Sequence, residues 1–336
     1  MIFRNYTPFP PLHFESRDEN QRDFGVLVLR GTFAFQNGSV LRLLDEQHPI
    51  IYYDEYYGDP HATSLKLESC LAPFKPATDF VLTANAHSPS GRSERQWNVT
   101  ARIGNTSKTL TVTGRRTWQR RFGSLSLSEI EPVSELPIRY EAAYGGGYEN
   151  GVGERETWPE NPVGRGYCGR KSHEGVVAPQ IFASENDVQL LSHSRPVATA
   201  GFGPVAPHWA PRRDRVGTYN EMWKRSRFPD LPADFDFSYH NTASTDFVLE
   251  PFATGTETIE LTNLTPERRT TFALPGFQLA SIMRFESGEI LPGPVMLDTI
   301  HVDATTYLVY LTWRTVYPVS PPLRVLEVRV KDSLAS

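Results

Sequence analysis

The chain has 336 residues, 39% of them hydrophobic and 22% charged, with a formal net charge of −5. That length buries a full core without staples, the composition excludes a disordered or collagen-like chain, and the acidic balance excludes a general nucleic-acid binder, which needs a basic footprint. The two cysteines, Cys70 and Cys168, are too few for a disulfide framework or a four-thiolate zinc site, which fits a reducing compartment.

The first residues, Met1 to Pro11, offer neither a basic start nor an apolar h-region, so no secretory signal is expected. No apolar run reaches the 18 or more residues of a membrane span. A cytoplasmic protein without membrane insertion is the expectation. From Phe24 to Phe35 the chain is rich in β-branched and aromatic residues, and Asn37-Gly38 carries a hairpin signal with Val40–Leu44 as the return strand. Asp79–Ala86 reads as another strand, closed by the turn residues Ser88-Pro89-Ser90-Gly91. Gln96–Ile103 and Lys108–Thr113, joined through Gly104-Asn105, form a further hairpin, with Leu110 and Val112 alternating against Thr109, Thr111 and Thr113.

The texture changes in the middle. Tyr144-Gly145-Gly146-Gly147 opens a Gly-rich region that runs through Asn161-Pro162-Val163-Gly164-Arg165-Gly166, and prolines recur at 179, 196, 204, 207 and 211. Each proline removes a backbone donor and discourages regular structure. One helix stands out: Thr218-Tyr219-Asn220-Glu221 reads as a capping box. The expected helix runs from Tyr219 to Phe228, with Tyr219, Met222 and Trp223 on one face and Lys224 and Arg227 on the other. Strand texture returns at Thr256–Leu261, Arg269–Leu274, Gln278–Phe285, Val295–Asp303, Tyr307–Trp313 and Leu323–Val330. The expected fold is therefore mainly β. Two antiparallel β-sandwich-like regions, 1–125 and 246–336, flank a Gly/Pro-rich irregular middle, 126–245, that carries one short helix; a single intertwined domain is the variant.

No catalytic motif is present. The serines lack a Gly-X-Ser-X-Gly elbow, the glycines at 145–147 lack the Gly-Lys-Ser/Thr of a phosphate loop, and no His-Glu-X-X-His helix occurs. His301 and Asp303 share the spacing of strand-borne metal ligands, and a turn at a strand end explains them equally well. Acidic pairs such as Asp54-Glu55 and Asp234/Asp236 invite a glycosidase reading, and with the aromatic content they keep a carbohydrate-binding β-sandwich as the alternative function. Basic residues cluster around Trp118 and Trp223. In the second cluster Arg212, Arg213, Arg215, Lys224, Arg225 and Arg227 face only Asp214 and Glu221. This reads as a solvated face or a docking surface for an acidic partner.

The blocks Tyr144-Gly145-Gly146, Asn161–Gly166, Gly201-Phe202-Gly203-Pro204, His208–Arg212, Gly217–Trp223, Arg227–Pro232 and Asp234-Phe235-Asp236 resemble, in this order, a bacterial family of type VI secretion accessory proteins. Phe74–Asp79, Val112-Thr113-Gly114, Leu261–Pro266 and Leu274-Pro275 extend the resemblance over about Gly25 to Pro318. Gly147-Tyr148 departs from it, where members often place Thr or an acidic residue. The resemblance implies a non-enzymatic adaptor or chaperone, without cofactor or metal, that helps load a toxic effector or a PAAR-type tip onto the VgrG spike. The expected partner-binding residues are Tyr144, Asn161, Arg165, Trp209, Arg212, Tyr219 and Trp223, which join loop backbone to aromatic and Arg side chains. For Arg165 and Arg212 the competing expectation is that they brace the scaffold, and for Tyr219 and Trp223 that they pack the helix onto a sheet.

Overall fold

β-Branched and aromatic alternation becomes strand along most of its length. Strand occupies 44% of the protein and helix 8%, so the fold is mainly β. The computed structural model describes residues 1–167, 174–192 and 195–331; Cys168 lies outside them.

Two large sheets carry the architecture. The ten-stranded sheet runs, in spatial order, Ile2–Tyr6, Leu323–Val330, Leu279–Phe285, Ile290–Asp303, Leu308–Pro318, Asp23–Ala34 and Pro11–Arg17. Thr78–Thr83 joins it parallel to the end of Ile290–Asp303, and Val248–Leu249 and Arg42–Leu43 pair at its margins. The six-stranded sheet is ordered Ile181–Phe182, Thr106–Thr113, Gln96–Ile103, Thr258–Thr262, Arg269–Ala273 and Ser39–Val40. Each sheet thus takes strands from both the 1–125 and the 246–336 regions, which are intertwined.

One continuous hydrophobic cluster holds side chains of both sheets, among them Leu29, Phe33 and Trp313 from the first and Val99, Leu110 and Ile259 from the second. Burying each such side chain contributes about 1.5–3 kcal/mol. Trp313, Leu311 and Val309 alternate onto the face of one strand that meets this cluster, as their period of two requires, while Thr312 and Arg314 on its other face are buried as well. The Gln96–Thr113 hairpin closes with Ile103 opposite Thr106, and Gly104 at φ 54° makes its turn. At Asn37-Gly38 the chain also turns, but the return strand splits. Ser39–Val40 pairs with Phe272 and Ala273 in the second sheet, whereas Arg42–Leu43 returns to Phe33 and Ala34 in the first. Asn37 directs this crossing: its Oδ1 accepts from the Thr271 amide at 2.8 Å.

Two strands not foreseen, Ile2–Tyr6 and Pro11–Arg17, form the outer edges of the large sheet. Between them Phe9 turns inward and is fully buried, stacked on Trp313 with ring centroids 4.8 Å apart. Gly31 makes room for it, since a Cβ there would meet the Phe9 ring at 2.9 Å.

The middle of the chain holds short paired strands and two short helices. Glu185–Leu190, unforeseen, is capped by Ser184, whose hydroxyl accepts from the Asp187 amide. The second helix spans Glu221–Ser226 rather than 219–228, because Asn220 is its cap: the Asn220 Oδ1 accepts from the Trp223 amide at 3.0 Å. Thr218, expected to cap, instead gives its amide and hydroxyl to the Asp234 carboxylate at 2.9 and 2.7 Å. No helix among the described residues is long and apolar enough to cross a membrane.

Candidate partner-binding surface

The Gly-rich middle is built around one asparagine. Asn161 is fully buried, and its Nδ2 donates to the Tyr140 and Tyr144 carbonyls at 2.7 and 3.0 Å. The backbone closes tightly on it: a Cβ at Gly145 would lie 2.2 Å from the Asn161 carbonyl oxygen, and one at Gly164 would lie 2.3 Å from Nδ2. The glycines of this motif therefore serve close backbone approach, with Tyr144–Gly145 paired in parallel with Arg165–Gly166. Tyr144 is itself buried, its ring edge-on to Trp158 at 5.2 Å. Arg165 is half-buried and donates to Gln180 Oε1 at 3.2 Å. Burial, together with the nearby Arg115, depresses its pKa.

Trp209 and Arg212 belong to a second brace. Trp209 is fully buried against Tyr140, and its indole N–H donates to His208 Nε2 at 3.0 Å. The buried Arg212 guanidinium donates in three directions: to the carbonyls of Tyr239 and Val205, each at 2.7 Å, and to Glu68 Oε1 at 2.8 Å. Glu68 Oε2 meets Lys75 Nζ at 2.9 Å, and Lys75 reaches Asp79 at 2.8 Å. Burial opposes the Lys75 charge, but Asp79 and Glu68 outweigh it and its pKa is raised. The Asp79 carboxylate also accepts from the amides of Thr242 and Ala243 and from Asn241 Nδ2. This network ties the 68–79 segment to the middle of the chain at 212 and 241–243. Against it lies His240, whose pKa falls to about 3 through burial and the positive charges of Lys75, Arg212 and Arg314.

Tyr219 and Trp223 lie elsewhere, on a knob around the second helix. Their rings meet edge-to-face at 4.7 Å, Trp223 meets Phe228 at 5.6 Å, and the Trp223 indole N–H donates to the Asp230 carbonyl at 2.8 Å. The knob stands on the turn between two strands of the large sheet. Asp230 accepts from Arg17 and Gln21, each at 2.9 Å, and Arg227 reaches the Glu19 carbonyl. Outward it presents Tyr219, Met222 and Phe228, 49%, 74% and 68% exposed, beside the exposed charged side chains of Glu221, Lys224 and Arg225.

Of the seven expected contact residues, Tyr144, Asn161, Trp209 and Arg212 are interior, Arg165 and Trp223 are half-covered, and Tyr219 is open. The basic excess around Trp223 is largely engaged within the chain. Arg212, Arg215 and Arg227 donate to backbone carbonyls, and Lys224 pairs with Glu221 at 2.6 Å. Met222 and Phe228 join the surface although neither was singled out as a contact. Beside Arg212 opens a cleft of about 680 Å³ whose rim mixes Lys108 and Arg215 with Glu160, Asp214 and Asp246. His301, a metal-ligand candidate by its spacing, is buried with its Nε2 3.0 Å from the Thr83 hydroxyl. Among the described residues no group of three or more His, Cys, Asp or Glu is placed to hold a metal.

A family model described as an uncharacterized protein conserved in bacteria matches residues 20–314, across both sheets and the knob. No curated protein and no solved structure matches the chain.

Proposed function

The chain belongs to the DUF2169 family, an uncharacterized family conserved in bacteria, and we propose that it is a non-enzymatic adaptor that helps load a toxic effector or a PAAR-type tip onto the VgrG spike of a type VI secretion system. The observation that carries the binding role is the knob, where Met222 on the helix and Tyr219 and Phe228 flanking it stand exposed on a segment held by Asn220, Asp230 and Arg227. Aromatic anchors on a pre-organised support are what a protein–protein hot spot requires, because little side-chain freedom remains to be lost on binding. The ordered sequence blocks that resemble the secretion accessory family support the identity of the cargo. Transfer to the spike then demands that the adaptor bind free cargo more tightly than docked cargo.

The test is capture of the effector or tip encoded beside the gene, with Met222→Ala and Phe228→Ala compared to the parent. Both side chains are largely exposed, so stability should change by no more than about 0.5 kcal/mol. Capture should weaken by about 1–2 kcal/mol for each. Undiminished capture removes the knob from the interface, and a positive glycan array with no protein capture replaces the adaptor by the carbohydrate-binding alternative.

A further inference from the structure

The two outer strands of the ten-stranded sheet, Ile2–Tyr6 and Pro11–Arg17, are consecutive in the chain and joined by only residues 7–10. Ile2–Tyr6 pairs on one side, in parallel with Leu323–Val330, and Pro11–Arg17 pairs on one side, antiparallel to Asp23–Ala34. The intervening pairings are all antiparallel, so the two outer strands run in opposite directions, as the arms of a hairpin would. A linker this short holds Tyr6 and Pro11 within about 18 Å of each other. The sheet therefore curls until its edges approach: the Phe3 and His13 rings are 5.9 Å apart. Yet among the described residues no backbone hydrogen bond joins the two strands. Toward Met1 they open beside a cleft of about 660 Å³ lined by Met1, His13, Phe14, Glu15, Tyr317 and Leu323.

We propose that the gap between these two strands is a docking slot for an extended segment of a partner polypeptide, which adds to the sheet as a β-strand. Three observations select that occupant. Each outer strand presents a row of backbone N–H and C=O groups that only another extended backbone satisfies in series. Edges not meant to pair are blunted by proline, bulges or free charges; Ile2–Tyr6 has neither proline nor bulge, its one charge, Arg4, is paired with Glu327, Pro11 stands only at the end of the opposite strand, and Ile2 and Tyr6 are more than half exposed. The linker between the arms is also fixed in advance. Phe9 pins the linker into the core, Asn5 Nδ2 donates to the Phe9 carbonyl at 2.8 Å, and the Thr7 amide donates to Asn5 Oδ1 at 3.0 Å. A slot fixed before binding loses little entropy when it is filled. The added segment spans about five residues, the length of Ile2–Tyr6, and carries apolar side chains at alternate positions to meet Ile2 and Tyr6. The slot lies on other elements than the knob and works through backbone, so it stands apart from the secretion reading.

The experiment is amide hydrogen exchange on the full chain, with a synthetic peptide of the sequence Leu323–Val330 as probe, the natural neighbour of Ile2–Tyr6. The control is the same peptide N-methylated at every residue, which keeps the side chains and removes the backbone donors toward both strands. The expected result is about tenfold or greater slowing of exchange within residues 2–6 and 11–17 by the plain peptide, and none by the N-methylated one. A double Met222→Ala, Phe228→Ala variant should show the same protection, which separates this outcome from that of the knob. No added protection at millimolar peptide, equal protection by the N-methylated peptide, or protection confined to other strands overturns the proposal.

Discussion

Arg212→Ala tests whether this arginine holds the fold or meets a partner. The side chain is 4% exposed and donates to Glu68, Val205 and Tyr239, all within 2.8 Å. Truncation leaves the buried Val205 carbonyl and the partly buried Tyr239 carbonyl without their donor and takes one cation from Glu68. Breaking a buried pair from one side costs about 3–5 kcal/mol; because Lys75 remains 2.9 Å from Glu68, the lower end, about 3 kcal/mol, is expected. A cooperative unit of this length unfolds with an entropy of about 0.7 kcal/mol/K, so the melting temperature should fall by about 4 °C. Arg212→Lys keeps a charge but loses the forked geometry, and should recover only part of the loss. Differential scanning calorimetry of the three proteins, beside cargo capture at a temperature where all remain folded, separates the two roles. A melting temperature within about 1 °C of the parent, with capture weakened, would refute the reasoning and return Arg212 to the binding surface.

Asn161→Ala should destabilise by about 2 kcal/mol, since two buried carbonyls lose their donor; Asn161→Asp, which keeps the volume, should rescue nothing in a urea melt. Phe9→Ala should cost about 3–5 kcal/mol and speed proteolysis within residues 1–17, and a fully resistant N-terminus would show that Phe9 is not the pin. Burial holds His301 down to about 4, with Arg30 and Lys66 adding to the effect against Asp303, and burial with three cations holds His240 near 3. Both are neutral in the fold while the unfolded chain takes up protons from about pH 6.5 downward. Stability should therefore decline as pH falls from 6.5 to 4. Urea midpoints should follow that slope and flatten in His240→Gln; midpoints that rise toward pH 4 would contradict it.

The strands that the sequence made legible are those whose two faces see different surroundings. Leu110, Val112, Val309, Leu311 and Trp313 alternate because one face meets the core, and Gly104-Asn105 marks its turn by chemistry that needs no tertiary context. Ile2–Tyr6 and Pro11–Arg17 were hidden because Pro8, Pro10 and Pro11 read as loop; proline is in fact tolerated at the first residue of an edge strand. Alternation also says nothing about which sheet a strand joins, so the split at Ser39–Leu43 emerged only with the fold. Among the candidate contacts, the Tyr219–Trp223 pair was visible from its spacing. That Arg212 braces the scaffold was one of two expectations, but its ion partner was not legible, because Glu68 lies 144 residues away. Nor was the exposure of Met222 and Phe228: a six-residue helix is too short for its periodicity to mark which face is covered.

The parallel pairing of Ile2–Tyr6 with Leu323–Val330, from Ile2 opposite Val325 to Tyr6 opposite Arg329, has a mechanical meaning. The first and last strands of the described chain lie side by side and point the same way. Tension applied through the two ends therefore slides one strand along the other instead of peeling them apart. In that geometry the evenly spaced bonds of a parallel ladder share the force at once, whereas an antiparallel pair pulled from its open end would yield one rung at a time. Stretched between its termini, the protein should resist until the whole ladder ruptures in a single event. The same protein pulled from Met1 and a point in the Asp23–Ala34 strand would bypass that clamp and give way at lower force.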